Sequence, residues 1–202
     1  MFLDQGLRGS LSSDRDMESD WVAASQQGDN RAFNRLVLKW EKQIYNLTLR
    51  MLQDPGEAED TTQDVFLAAF RNIRRFRKDA KFSTWLYRIA VNHCLSRLRR
   101  RPHGIHVSLD AEGSEERVMS RLPSRDSHEG EILSEERQSR VRAALQFLQP
   151  EHKAVLELKF FQDLTFEEIA AVVEAPVSTI KSRLYAGLEV MRYRLGAFSS
   201  DI

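Results

Sequence analysis

Along most of the chain, apolar residues recur at intervals of three and four, the spacing that gathers them on one face of an α-helix. Phe33, Leu36, Val37, Trp40, Ile44, Leu47 and Met51 form the longest such series, and Asp29 or Asn30 can cap its start. A shorter helix is expected ahead of it, from Asp20 to Gln26, ended by Gly28-Asp29. Asp54-Pro55-Gly56 is a turn signal. From Glu57 a further helix turns Thr62, Val65, Phe66, Ala69 and Ile73 inward and Asp60, Gln63, Asp64 and Leu67 outward. Phe76 and Phe82 then bracket a basic loop. Ser83 or Thr84 is expected to cap a helix running through Trp85, Leu86, Ile89, Ala90, Cys94 and Leu98 into Arg99-Arg100-Arg101-Pro102.

From residue 102 to 133 the period disappears into Pro, Gly, Ser, His and acidic residues, the composition of a linker. It resumes with Val141, Ala144, Leu145 and Leu148, and again from Pro150 through Val155, Leu156, Leu158 and Phe161. No strand pattern competes, so an all-α chain is expected, with two small helical domains joined by a flexible linker. The expected limits are a disordered tail at 1–17, a first domain at 18–101, the linker at 102–133, a second domain at 134–196 and a short tail at 197–202.

The stretch LTFEEIAAVVEAPVSTIKSRLYAGLEVMRYRL, Leu164 to Leu195, reads as two helices around a tight turn. Thr165 and Glu168 have the T-x-x-E spacing of a capping box, in which side chains and backbone satisfy each other's unpaired groups. Ile169, Val172 and Val173 stripe the first helix. Pro176 cannot continue it but suits the start of the next. Ile180, Leu184, Leu188, Met191 and Leu195 then mark one buried face, while Ser178, Thr179, Lys181, Ser182, Arg183 and Tyr185 stand opposite, near the N-terminal end. That is where a recognition helix meets base edges and phosphates. A solvated surface hairpin would show the same local pattern, so the remainder of the chain has to discriminate.

Composition changes this picture little, since 42% hydrophobic and 30% charged residues are ordinary for a globular protein. Apolar runs fall far short of the roughly 20 residues that span a bilayer, and the N-terminus lacks the basic and apolar regions of a signal peptide. A cytoplasmic protein without membrane insertion is expected. The single cysteine, Cys94, excludes an internal disulfide and fits a reducing compartment. Net charge is zero, yet the charge is sorted. Between Arg71 and Arg101 lie Arg71, Arg74, Arg75, Arg77, Lys78, Lys81, Arg88, Arg97, Arg99, Arg100 and Arg101 against Asp79 alone, a segment suited to phosphate. Met51 to Phe70 carries Asp54, Glu57, Glu59, Asp60 and Asp64 without a Lys or Arg, and therefore suits a basic partner.

Asp29-Asn30-Arg31-Ala32-Phe33, EAEDTTQDVFLAAFRNIRRF from Glu57, FSTWLYRIAVNHCLSRLRRR from Phe82 and LTFEEIAAVVEAPVSTIKSRL from Leu164, taken in order, resemble the successive regions of a bacterial extracytoplasmic-function (ECF, group IV) sigma factor. The resemblance covers about residues 18–101 and 134–195. It implies sigma region 2 followed by region 4 with no region 3 domain between them. It further implies core RNA polymerase as partner, through the beta-prime clamp and beta flap, and promoter DNA, single-stranded at -10 and duplex at -35. An anti-sigma factor, which could hold the protein near the membrane, and a role in stress response are implied by the same likeness.

By that resemblance Asp60, Gln63, Asp64 and Leu67 contact the polymerase clamp. Phe76, Arg77, Lys78, Lys81, Trp85, Tyr87, Arg88, Asn92, Arg97, Arg99 and Arg100 melt and hold the -10 element. Their chemistry suits the task, because aromatic faces stack unpaired bases, cations track phosphates and an amide such as that of Asn92 bonds a base edge. Thr165, Pro176, Ser178, Thr179, Lys181, Ser182, Arg183 and Tyr185 fall to -35 recognition. Glu174 departs from the family, which often has Gly at this turn, and a left-handed turn residue accommodates Glu less easily.

The linker reaches about 100 Å if extended, but as a coil its ends average about 30 Å apart. Promoter elements two DNA turns apart are separated by roughly 65 to 70 Å, so polymerase is expected to hold the domains apart. No nucleophile elbow, phosphate loop or zinc-finger pattern is present. His103 and His106, or His93 with Cys94, lack partners at ligand spacing. No catalysis, cofactor or metal is expected. The alternatives are a stand-alone helix-turn-helix regulator binding duplex DNA without polymerase, and a module that sequesters a partner without touching DNA.

Overall fold

The computed structural model describes residues 17–77, 80–100 and 140–197. The expected linker, most of both tails, Lys78 and the His103/His106 pair lie outside them. Within the described residues there is no strand. α1 spans 17–26 and so takes in Met17, which the sequence assigns to the tail. It is followed by α2 (Asn30–Leu52), α3 (Pro55–Asn72) with a short 3-10 turn at Ile73–Arg75, and α4 (Phe82–Arg100). The second domain contains α5 (140–145), α6 (Pro150–Phe160), α7 (Phe166–Val173) and α8 (Val177–Ala197).

Local chemistry sets these limits. The Asp29 carboxylate accepts from the backbone N–H groups of Arg31 and Ala32 and starts α2. Asp54 does the same for Glu57, with Pro55 in the first turn, so α3 begins two residues before the expected Glu57. Ser83 and Thr84 do not cap α4. The helix begins at Phe82, whose burial with Trp85 against Phe76 outweighs the capping preference of the two hydroxyls.

α2, α3 and α4 pack around Leu36, Ile44, Leu47, Met51, Val65, Leu86, Ala90 and Val91, all essentially without solvent contact. Each of the Leu, Ile, Val and Met side chains among them contributes on the order of 1.5–3 kcal/mol. α1 closes the bundle with Val22, and its Gln26 side-chain amide donates to the carbonyls of Ile73 (3.1 Å) and Phe76 (2.7 Å), pinning the start of the basic loop.

In the second domain α6, α7 and α8 share a core of Val155, Leu158, Ile169, Val172 and Ile180. α8 approaches α6 closely at Gly187, where an added Cβ would lie 2.9 Å from Leu156 Cδ1. The apolar series on α8 is buried only at its start. Ile180 and Leu184 are core, Met191 and Leu195 are half-buried, and Leu188 is exposed, because α6 and α7 cover only the first half of this long helix. The two domains also pack on each other, α7 and α6 lying against α4 and α6 against α2.

Candidate nucleic-acid and partner interfaces

The turn of the helical hairpin is built as its sequence foretells. Thr165 Oγ1 accepts from the Glu168 backbone N–H at 3.2 Å, and the Glu168 carboxylate accepts from the Thr165 backbone N–H at 3.0 Å. Glu174 ends α7 at φ 54°, ψ 46°, so a glutamate does occupy the left-handed position. Beyond it, Pro176, Ser178, Lys181, Ser182 and Tyr185 are exposed while Ile180 and Leu184 point into the core. Thr179 and Arg183 are half-buried. Of the expected -35 residues, Ser178, Thr179, Lys181, Ser182, Arg183 and Tyr185 lie in the first half of α8, Pro176 stands just before it, and Thr165 caps the start of α7.

On the first domain, Asp60, Gln63 and Leu67 are exposed on the outer face of α3. Asp64 is half-buried, and Arg97 of α4 donates to its carboxylate at 2.9 Å. The acidic face is therefore partly neutralised from another helix, a pairing that α3 alone conceals. Beside Gln63 and Leu67 runs a shallow apolar groove between α2 and α3, lined by Phe33, Val37, Phe66, Leu67 and Phe70. Val37 and Phe70 were not among the expected contact residues. The unexplained exposure of Phe70, at 47%, distinguishes it from a core aromatic only once the bundle is assembled.

The basic aromatic segment differs most from its expected form. Phe76 is buried, edge-on to Phe82 and 5.1 Å from Trp85, and so presents no open face on which a base could stack. Tyr87 is also buried, 4% exposed, and its hydroxyl donates to Gln162 of the second domain at 2.8 Å. Burial, reinforced by Glu157, pushes its phenol up to about 12. Trp85 remains half-buried, whereas Arg77, Lys81, Asn92, Arg99 and Arg100 are exposed. Several of these cations are engaged: Lys81 with Glu168 at 2.6 Å, Arg88 with Glu174 at 3.1 Å and with the Ala171 carbonyl, Arg99 with Glu151 at 3.1 Å.

A further set of polar residues lies between the domains, outside the expected site residues. Arg50 donates from Nε and Nη2 to the two oxygens of Glu157, each at 2.7 Å, a bidentate pair in which Glu157 is 4% exposed. Gln162 donates to the same carboxylate at 3.0 Å, and Lys153 Nζ donates to the Met51 carbonyl at 3.0 Å. Burial pushes the Glu157 carboxyl up, against the opposing pull of Arg50. The available clue is that Lys153 and Glu157 stand one turn apart within HKAVLELKFF, charges in a helix otherwise apolar on most sides.

Among the described residues no cluster of three or more His, Cys, Asp or Glu could hold a metal, and no helix is long and apolar enough to cross a membrane. Two linked helical domains, one ending in a helix-turn-helix and one joining an acidic helix to a basic aromatic segment, define a DNA-reading protein with a second macromolecular partner. The sigma-70 region 2 profile matches residues 36–103 and the sigma-70 region 4 profile matches residues 138–191. The chain is 36% identical to the RNA polymerase sigma-H factor of Pseudomonas aeruginosa, over 88% of this chain and 93% of that one. It is 33% identical to the ECF sigma factor SigW of Bacillus subtilis, over 84% and 92%, and 33% identical to the ECF sigma-E factor of Escherichia coli K12, over 84% and 90%.

The chain belongs to the ECF sigma factors of the sigma-70 family, the subunits that direct core RNA polymerase to promoters. Its fold is shared with CnrH, solved in complex with the cytosolic domain of CnrY (TM-score 0.64, 21% identity, 92% of this chain and 99% of that one). It is likewise shared with the sigma factor RpoE of Bartonella quintana, solved with the anti-sigma factor NepR (TM-score 0.59, 18% identity, 81% and 96%).

Proposed function

We propose that the first domain docks on the polymerase clamp through the outer face of α3, with Asp60, Gln63, Asp64 and Leu67, and through the adjoining groove. The basic loop and the exposed edge of α4 hold the melted -10 strand, with Arg77, Lys78, Lys81, Trp85, Arg88, Asn92, Arg97, Arg99 and Arg100 as its contacts. Phe76 and Tyr87 support this surface from within the fold. The start of α8 reads the -35 duplex. The observation that carries this reading is the division of α8, with Ser178, Lys181, Ser182 and Tyr185 open to solvent above a buried Ile180 and Leu184. On the second domain, exposed Phe147, with the Arg194 guanidinium 3.6 Å from its ring centre, offers an aromatic surface to the beta flap.

In this reading the protein acts in the cytoplasm without catalysis of its own, and an anti-sigma factor restrains it when it is not engaged. Run-off transcription with core polymerase tests the function. A promoter-specific transcript should appear only when both are present, and equal binding to duplex DNA with and without core, with no transcript, would support a stand-alone regulator instead. Asp60→Lys should weaken core binding in a competition assay while leaving the circular dichroism spectrum unchanged, since Asp60 is exposed. Unfolding of that variant would make the carboxylate structural.

A further inference from the structure

Gln26 is the last residue of α1 and is half-buried. Just beyond it the chain leaves the helix through Gly28 at φ 98°, a left-handed position that suits glycine. The Gly28 N–H donates to the Ser25 carbonyl at 3.0 Å and the Asp29 N–H to the Ala24 carbonyl at 3.1 Å, the double closure of a Schellman motif. Asp29 then caps α2. The backbone that carries Gln26 is therefore fixed between two helices before its side chain makes any contact.

That side chain reaches a distant part of the chain. Its amide nitrogen donates to the carbonyls of Ile73 at 3.1 Å and Phe76 at 2.7 Å, 47 and 50 positions away. The Ile73 carbonyl already accepts from the Phe76 N–H at 3.0 Å, so Gln26 takes its second lone pair. Phe76, at φ -63°, ψ 123°, is where the 3-10 turn gives way to extended backbone, and Arg77 follows it. The amide thus ties the turn to the first residue beyond it and sets the direction in which the basic loop leaves. At the far end of the loop the Trp85 N–H donates to the Lys81 carbonyl at 3.2 Å, and the rings of Phe76, Phe82 and Trp85 close the base between the two ends. Gln26 is not among the residues assigned to DNA, and its donors are directed at backbone.

We propose that Gln26 is a positioning residue for the -10 strand, holding the start of the basic loop so that Arg77 and Lys81 meet the melted DNA in register. The role rests on the reading of that loop given above. It requires two donors on one small planar group, which glutamine supplies. Methionine has similar length and no donor. Ionised glutamate keeps the shape but turns two acceptors toward two carbonyl oxygens. Function should therefore fall from the unaltered chain to Gln26→Met and further to Gln26→Glu, whereas a side chain that merely filled space would be replaced by methionine without loss.

The full chain is tested first by itself. Limited trypsin digestion, followed by mass spectrometry, should cut Gln26→Glu faster between Arg74 and Lys81 than the unaltered chain, with cleavage elsewhere unchanged. Holoenzyme reconstituted with core polymerase is then given the promoter that yields the run-off transcript, and copies of it with single-base substitutions in the -10 or the -35 element. Discrimination against -10 substitutions should fall about fivefold or more in Gln26→Glu, since a displacement of about 1 Å can cost up to about a hundredfold. Discrimination against -35 substitutions should stay constant. Such ratios do not depend on how much of the chain is folded, so a general loss of stability leaves them unmoved. Should Gln26→Glu unfold, Gln26→Met carries the same comparison. Unchanged digestion together with unchanged -10 discrimination would overturn the proposal, as would a methionine variant equal to the unaltered chain in both. Faster digestion with unchanged -10 discrimination would overturn it too, and Lys81→Ala then separates the causes. If that variant loses -10 discrimination, the loop reads the strand without help from Gln26; if it does not, the reading of the loop itself fails.

Discussion

At the scale of single residues, the charges of this protein are defined by what faces them. The Glu168 carboxyl is held below its ordinary 4.5 by the hydrogen bond from Lys81, aided by the Thr165 backbone N–H. A group lowered in the folded state stabilises it fully above its unfolded value and loses that contribution as pH falls through the folded one. The stability difference between the native chain and Glu168→Gln should therefore be constant at neutral pH and shrink only below 4.5, as measured by urea denaturation across a pH series. A difference that already faded near pH 6 would contradict the pairing. Glu174 teaches a related lesson. The sequence marks it as an awkward turn residue, the backbone angle is left-handed, and its carboxylate meets Arg88 of α4.

At the scale of elements, capping and period decide most of the structure. The box joining Thr165 and Glu168 satisfies two backbone donors at the start of a helix only eight residues long, too short to persist without its caps and its packing. Thr165→Ala should cost about 0.5–2 kcal/mol, seen as a lowered denaturation midpoint and as faster hydrogen exchange confined to α7. Exchange spread evenly over both domains would show that the cap is not a local device. The elements most legible in the sequence, α2, α3 and the α7–α8 hairpin, are those whose apolar spacing and caps agree. The apolar period locates α4 but the hydroxyls do not set its start, because Phe82, Trp85 and Phe76 gain more by packing together than Ser83 or Thr84 gains by capping.

At the scale of the whole molecule, two domains that read as separate along the chain share a polar seam. Cys94 lies in the first domain, fully buried in α4, and burial together with the Glu157 charge pushes its thiol up to about 12. Because the thiolate is the reactive form, the folded protein should resist iodoacetamide at pH 8 and react promptly in denaturant, as followed by mass spectrometry. Prompt alkylation of the native chain would show that the first domain opens around α4 far more often than its packing implies.

The sequence by itself determined the all-helical fold, the division into two domains, the helix-turn-helix with its capping box, the acidic face of α3 and the basic segment after it. These follow from interactions among residues a few positions apart, where period, caps and breakers leave a visible pattern. Tertiary structure alone decided that Phe76 and Tyr87 are buried, that Arg97 pairs with Asp64, and that Arg50, Lys81, Arg88 and Arg99 meet the second domain. Arg50 and Glu157 stand 107 positions apart, and nothing local marks a cation for a partner that distant. Their pairing exists because packing removes the Glu157 carboxylate from water and leaves the half-buried Arg50 guanidinium as its replacement.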